Sequence, residues 1–262
     1  MIAPPPLRLV VLAAPGQPTD ILVNWLEDAG FAPVTVLIEP AQSRKALLRG
    51  RRKRLGLWAV FGQVAFMALI PPILRRRSGS RVAQILTDAN ARTDPLPAGR
   101  MTPITSVNAA ETVALLRDLA PDAVVLSGTR IVKPATLQAA GGAPVLNIHA
   151  GITPAYRGVH GGYWALWNRA PQDFGATLHL VDAGVDTGTV LAHCRTQPAP
   201  DDNFTTYPLV QLAAALPALT ACLEQISRGQ PLPGLCPPAT DSRQWYHPTL
   251  AQYIAGRLRS LR

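Results

Sequence analysis

Short apolar runs alternate with helix-length amphipathic stretches through most of this chain, and that alternation constrains its fold more than any other feature. The runs are residues 9–12 (LVVL), 33–38, 103–107, 122–126 (DAVVL) and 145–149 (VLNIH). They are short for helices and too continuously apolar for half-exposed strands, so they read as strands buried on both faces. Between the first two, Thr19 or Asp20 caps a helix whose Ile21, Leu22, Trp25 and Leu26 share one face, with Gly30 as its stop. Asn108, followed by Glu111, has capping-box spacing for a helix over 109–119, and residues 134–140 form another before Gly141-Gly142. Residues 163–170 and 211–227 read as helices, the second despite Pro217; 175–181 and 190–194 read as strands, and 250–261 as a terminal helix. The pattern predicts an α/β fold, a mostly parallel twisted sheet with helices on both faces. No glycine-rich phosphate signature follows any run, so dinucleotide and P-loop readings lose their main support.

Charge is distributed unevenly. The chain of 262 residues carries a net charge of +9, yet eleven of its 25 basic residues lie in 44–81, where there is no acid; without them +9 becomes −2. Inside that segment, residues 55–74 form an uncharged run, LGLWAVFGQVAFMALIPPIL, with basic clusters on both sides. Pro71 and Pro72 are expected to end its helix, leaving about 24 Å at ~1.5 Å per residue, short of a ~30 Å hydrocarbon core. Gln63 interrupts the run, and its position between two strands of one sheet argues against a span. The segment 44–81 is therefore expected as a basic, apolar helical insertion after the second strand, contacting a second copy of the chain or lying on an anionic membrane surface. Apolar content of 48% excludes extended disorder. Cys194, Cys222 and Cys236 lack metal-site spacing and read as reduced thiols. The first six residues lack the basic start of an export signal, so the expected location is cytoplasmic, peripheral at the inner face of the membrane if 44–81 meets lipid.

The chemistry sits at strand ends. VLNIH closes with Asn147 and His149, two apart and so on one face. A loop shaped by Gly151, Pro154 and Gly158 follows. About forty residues on, Val181-Asp182-Ala183-Gly184-Val185-Asp186-Thr187-Gly188 forms a tight turn able to aim a carboxylate inward. An amide, an imidazole and a carboxylate together suit acyl transfer to an amine. The amide donates to a developing oxyanion, and histidine stabilises it or moves a proton. No nucleophilic Ser or Cys is needed if the acyl group arrives on a carrier. A structural histidine beside an Asp-Gly turn is the alternative reading of the same residues.

Asn147-Ile148-His149, the following loop of form H-x-G-x-x-P-x-Y-R-G, and Gly184-Val185-Asp186-Thr187-Gly188 together resemble the folate-dependent formyltransferases. That family includes the glycinamide ribonucleotide, methionyl-tRNA and sugar N-formyltransferases. The resemblance covers residues 124–192 well and implies a Rossmann-like formyltransferase fold. It implies Asn147, His149 and Asp186 as catalytic residues and 10-formyltetrahydrofolate as donor. The pterin would lie between Gly128, Thr129, Arg130, Ile131 and Val132 on one side and Val181, Asp182, Ala183, Gly184 and Val185 on the other. The loop departs from the family's usual Ser-Leu-Leu-Pro, reading Gly151-Ile152-Thr153-Pro154, and 44–81 has no counterpart in compact purine-pathway members.

Tyr156, Arg157 and His160 are assigned to the acceptor side, with His160 alternatively capping the helix that follows. His179 alternates with Leu178 and Leu180 and reads as an outward strand residue; His193 and His247 show no partner pattern. No metal site is expected. Residues 1–230 read as the catalytic domain and 231–262 as a short tail. That tail is shorter than the extra domain of tRNA-acting members, which disfavours a tRNA acceptor and leaves a small-molecule amine, such as an amino-sugar nucleotide or an envelope or secondary-metabolite amine; DNA is not expected. Hydrolysis of formyltetrahydrofolate and a non-catalytic basic module binding membrane or RNA are the alternative functions.

Overall fold

The computed structural model of the chain describes residues 7–41, 55–236 and 241–259. Seven strands form one sheet: β1 (Leu9–Ala13), β2 (Thr35–Ile38), β3 (Met101–Pro103), β4 (Ala123–Ser127), β5 (Val145–His149), β7 (Gly175–Leu180) and β8 (Val190–Arg195), in spatial order β3-β2-β1-β4-β5-β7-β8. The first five are parallel, and β7 and β8 add on antiparallel. A separate two-stranded pair joins β6 (Arg157–Gly158) to β9 (Gln244–Trp245). The helices are α1 (Gln17–Asp28), α2 (Leu57–Arg77), α3 (Gly79–Asp88), α4 (Ala110–Leu119), α5 (Pro134–Ala139), α6 (Gly161–Trp167), α7 (Tyr207–Ser227) and α8 (Leu250–Leu258).

Period-two alternation along β1 divides the core. Leu9, Val11 and Ala13 join one apolar cluster with α1 and α7 residues such as Ile21, Leu26, Leu216 and Leu219. Val10 and Leu12 face the other, with Leu116 of α4 and Ala139 of α5. Helices thus cover both faces, as the buried runs require. The segment beyond residue 231 returns to the body: Trp245 stacks on Trp164 at 4.7 Å, and Tyr253 meets Phe66 at 5.2 Å.

Three local expectations are corrected. Helix α2 does not stop at Pro71-Pro72 but continues to Arg77, 21 residues in all. The prolines remove two amide donors, yet Phe66, Met67, Ile70 and Leu74 pack against the core on both sides of the break, and that burial outweighs the lost bonds. The length argument against a bilayer span therefore falls, while the topological one stands, because α2 and α3 connect β2 and β3, parallel neighbours in one sheet. Neither Thr19 nor Asp20 caps α1: Gly16 occupies that position, and the Thr19 hydroxyl donates to the Ala14 carbonyl at 2.7 Å. Strand β3 spans Met101–Pro103, ahead of where the apolar run suggested. Residues 44–54 of the basic segment and the last turn expected of the terminal helix lie outside the described residues.

Candidate active site

The side chains expected to act gather where β4 and β5 end, the edge at which open α/β sheets take ligands. Asn147 and His149 project from β5 to one side, while Ile148 between them packs toward the core. The antiparallel register then sets His179 opposite Asn147 and Thr177 opposite His149.

Asn147 Nδ2 lies 3.1 Å from His179 Nε2, and His179 Nδ1 lies 2.8 Å from the Leu180 carbonyl oxygen. A carbonyl only accepts, so Nδ1 carries the hydrogen and Nε2 accepts from the Asn147 amide. Burial pushes the His179 pKa down against the opposing pull of the Leu180 bond and Asp186, favouring the neutral ring this geometry uses. Asn147 is thereby held by one amide hydrogen, with the other left for a ligand. The outward placement expected for His179 is wrong: the residue is 3% exposed. Gly175 to His179 of β7 are all buried, so both faces of the strand are covered there.

His149 Nε2 lies 2.7 Å from the Tyr156 carbonyl oxygen, and Nδ1 lies 3.3 Å from Asp186 Oδ2. The carbonyl only accepts, so Nε2 donates to it, while Nδ1 faces the Asp186 carboxylate. Asp186 Oδ2 also accepts from the Gly158 amide at 2.9 Å, and Oδ1 stands 3.8 Å from His179 Nε2. Asp186 sits at φ 52°, a left-handed conformation that Asp tolerates at some local cost. Asn147 and His149 of β5 thus meet Asp186, about forty residues on, in one polar cluster around His179.

The loop after His149 is fastened from several sides. Thr177 Oγ1 donates to the Gly151 carbonyl at 2.7 Å and accepts from the Thr153 amide at 3.0 Å. Gly151 packs face to face with Gly161; a Cβ on Gly151 would lie 2.4 Å from the Tyr156 carbonyl oxygen and 2.8 Å from His149 Nε2. Trp245 Nε1 donates to the Ala155 carbonyl, and β9 pairs with β6 directly before Val159.

A cleft of about 230 Å³ opens beside the cluster. Gly128, Thr129, Arg130, Ile131 and Val132 line one side, Val181, Asp182, Gly184, Val185 and Asp186 the other, and Asn147 and His179 the floor. Ala183 is not among its walls. The Asp182 carboxylate folds its own loop, accepting from the Gly184 amide and the Thr187 hydroxyl. The 128–132 loop is braced from behind. Buried Glu39 accepts from the Arg130 amide at 2.8 Å, from Arg130 Nε at 2.6 Å and from the Val107 amide at 3.0 Å. Because Ala109 holds the N-cap position, Asn108 does not cap α4. Its side chain donates to the Ile131 carbonyl and accepts from the Lys133 amide. Glu39 carried no motif signal in the sequence.

A second cavity of about 240 Å³ adjoins the cleft, sharing Leu126, Gly128 and Ile148 with it and lined further by Gln17, Ala150 and Thr205. None of the three residues assigned to an acceptor lines it. The Tyr156 ring is buried against Trp245 at 6.0 Å. Arg157 NH1 donates to the Val185 carbonyl at 3.0 Å, tying the loop after His149 to the 181–188 turn. His160 holds the N-cap position of α6 without capping through its side chain, and its ring lies 2.8 Å from His247 Nδ1. Among the described residues no group of three or more His, Cys, Asp or Glu is arranged to hold a metal ion.

The family model described as Formyl transferase matches residues 73–209. The chain is 36% identical to a methionyl-tRNA formyltransferase of Chlorobium chlorochromatii over 45% of its own length and 36% of that protein. It is 35% identical to a phosphoribosylglycinamide formyltransferase of Mycobacterium tuberculosis over 53% of its length and 73% of that protein. It thus spans well under half the length of the methionyl-tRNA enzymes it matches. Its fold is like that of a sugar N-formyltransferase from a Shewanella species, at TM-score 0.51 and 16% identity, over 88% of this chain and 75% of that one.

Proposed function

This chain belongs to the formyl transferase family, and from that premise we propose that it moves a formyl group from 10-formyltetrahydrofolate to the amine of a small acceptor. The observation that carries the reading is that Asn147 and Asp186 line one cleft, with His149 buried behind it 3.3 Å from Asp186.

The cleft suits the donor's ring. Ile131 is 64% exposed and, with Leu126, Val132 and Val181, offers apolar walls above a polar floor. About 230 Å³ is below the ~300–1,000 Å³ that encloses a drug-sized ligand, so the cleft takes one ring system and leaves the rest of the molecule outside. When bound, the donor supplies an activated formyl carbon. The Asn147 amide donates toward the charge developing on the formyl oxygen, while His149, held between the Tyr156 carbonyl and Asp186, keeps that carboxylate in place. Asp186 takes the proton released by the attacking amine and returns it to the folate nitrogen that leaves as its bond to the formyl carbon breaks. Neutral His179 keeps the Asn147 amide turned to the reaction. The adjoining cavity at the start of α1, which shares walls with the cleft, is the approach for the acceptor. The free cysteines agree with a cytoplasmic setting.

A tRNA acceptor is the second reading. The methionyl-tRNA formyltransferases among the relatives and the basic character of 44–81 favour it. Small acceptors are favoured by the phosphoribosylglycinamide and sugar enzymes and by the modest size of the adjoining cavity.

The test is calorimetric titration with 5-formyltetrahydrofolate, a stable donor mimic, followed by donor consumption against amino sugars, glycinamide-type amines and methionyl-tRNA. Saturable binding that Val185→Trp abolishes supports the donor site. No binding at high ligand concentration refutes the reading, and turnover of donor alone at the full rate replaces transfer with hydrolysis.

A further inference from the structure

Helix α2 carries an apolar face that no described residue covers. Its inner side is docked. Val60, Gln63 and Phe66 are buried, Phe66 meets Phe204 at 4.8 Å, and Gly62 lies against Thr249. Its outer side exposes Leu57, Trp58, Phe61, Val64, Leu69 and Ile73 at helical spacing, with Trp58 85% and Phe61 67% exposed. A solvent-facing helix normally turns charge outward. Here the outer stripe is apolar until it ends at Arg75, Arg76 and Arg77, all exposed, and no acid occurs anywhere in 44–81.

We propose that this face lies flat on an anionic lipid surface, with Trp58 and Phe61 entering the headgroup boundary and Arg75–Arg77 meeting the phosphates. Charge complementarity selects this occupant. A second copy presenting the same face brings more positive charge and no acid to answer it. RNA would answer the arginines but leave the aliphatic and aromatic stripe in water. A lipid surface satisfies both. The helix lies on the bilayer and does not cross it: its inner side is part of the core, and the strands before and after it are parallel neighbours in one sheet.

The test is cosedimentation of the full chain with vesicles of phosphatidylcholine and phosphatidylglycerol, against pure phosphatidylcholine, at low and high salt. Two variants accompany it, W58S/F61S and R75Q/R76Q/R77Q. The full chain is expected to partition onto the anionic vesicles in a salt-sensitive way. Partition is expected to fall about tenfold or more in each variant, since each arginine near such a surface contributes about fivefold. Melting curves check that the variants fold, and retained 5-formyltetrahydrofolate binding separates this docking surface from the donor site. No partition of the full chain, or equal partition of all three proteins, overturns the proposal. So does a concentration-dependent dimer that W58S/F61S dissolves without any vesicle binding. So does tRNA binding that only the arginine variant loses, again without vesicle binding.

Discussion

Gly151→Ala tests whether the tight loop behind β5 is what aims His149. The added Cβ would sit 2.4 Å from the Tyr156 carbonyl oxygen, where ordinary contacts begin at 3.4 Å, so that carbonyl must retreat by about 1 Å. The same oxygen lies 2.7 Å from His149 Nε2. Retreat on the other side is blocked, because Gly161 Cα stands 3.0 Å from the new carbon. Overpacking of this kind costs roughly 1–3 kcal/mol, and at about 2–4 °C per kcal/mol for a chain of this size the melting temperature falls by roughly 2–12 °C. A shift of ~1 Å in a positioned catalytic group costs about a hundredfold in turnover. Gly151 does not line the cleft proposed for the donor, so affinity for 5-formyltetrahydrofolate should stay within about twofold of the parent. Differential scanning fluorimetry, calorimetric titration and single-turnover donor consumption with the amine found by the acceptor screen read the three quantities separately. A variant that melts and turns over like the parent would show that His149 is not held by this contact.

Asp186→Asn keeps an oxygen for the Gly158 amide and for His149 Nδ1 but removes the charge; donor consumption should fall about 10²–10⁴-fold with little change in melting, and a loss of under about threefold would exclude a proton-accepting role. Glu39→Gln weakens the brace on the 128–132 loop, and because a hydrogen bond to a charged group contributes about 1.5–3 kcal/mol, donor affinity should weaken by roughly tenfold or more while donor-saturated turnover is retained; unchanged affinity in the titration would show that the loop holds without it. Arg81→Met strands the fully buried Asp202 carboxylate, which Arg81 grips at 2.9 and 2.8 Å, and should destabilise the fold by about 3–5 kcal/mol in denaturant melts. Burial alone would raise the Asp202 pKa, but bonds from Arg81, the Ala199 amide and Thr206 outweigh it and hold it low. The parent's stabilisation from this carboxylate is therefore full above its ordinary pKa of 3.8 and is lost as pH falls through the lower folded value; melts of the parent showing no such acid-side loss would contradict the assignment.

Much of this protein was legible as sequence because the signals are local. LVVL, DAVVL and VLNIH declare buried strands by composition alone, and β5 was read with its observed bounds. Asn147 and His149 are two apart on one strand, so their shared side follows from the pleat. The two loops flanking the cleft were expected as a pair, and all of their named residues except Ala183 line it.

The rest depended on neighbours distant in the chain. His179 became a partner of Asn147 only because β7 inserts antiparallel between β5 and β8, a register that no alternation within LHL specifies. Asn108 gave up a cap for a brace on a loop 23 residues away, and His160 found His247 across 87 residues. Pro71-Pro72 failed to end α2 because the core accepted both halves of the helix, a gain that local propensity does not contain. The buried strands β1, β4 and β5, the shared face of Asn147 and His149 and the position of the basic segment after the second strand were determined by sequence alone, because period and composition act over a few residues. The partners of the histidines, the brace on the 128–132 loop and the outward apolar face of α2 were decided by tertiary structure, because hydrogen-bond partners and burial exist only once distant segments have packed.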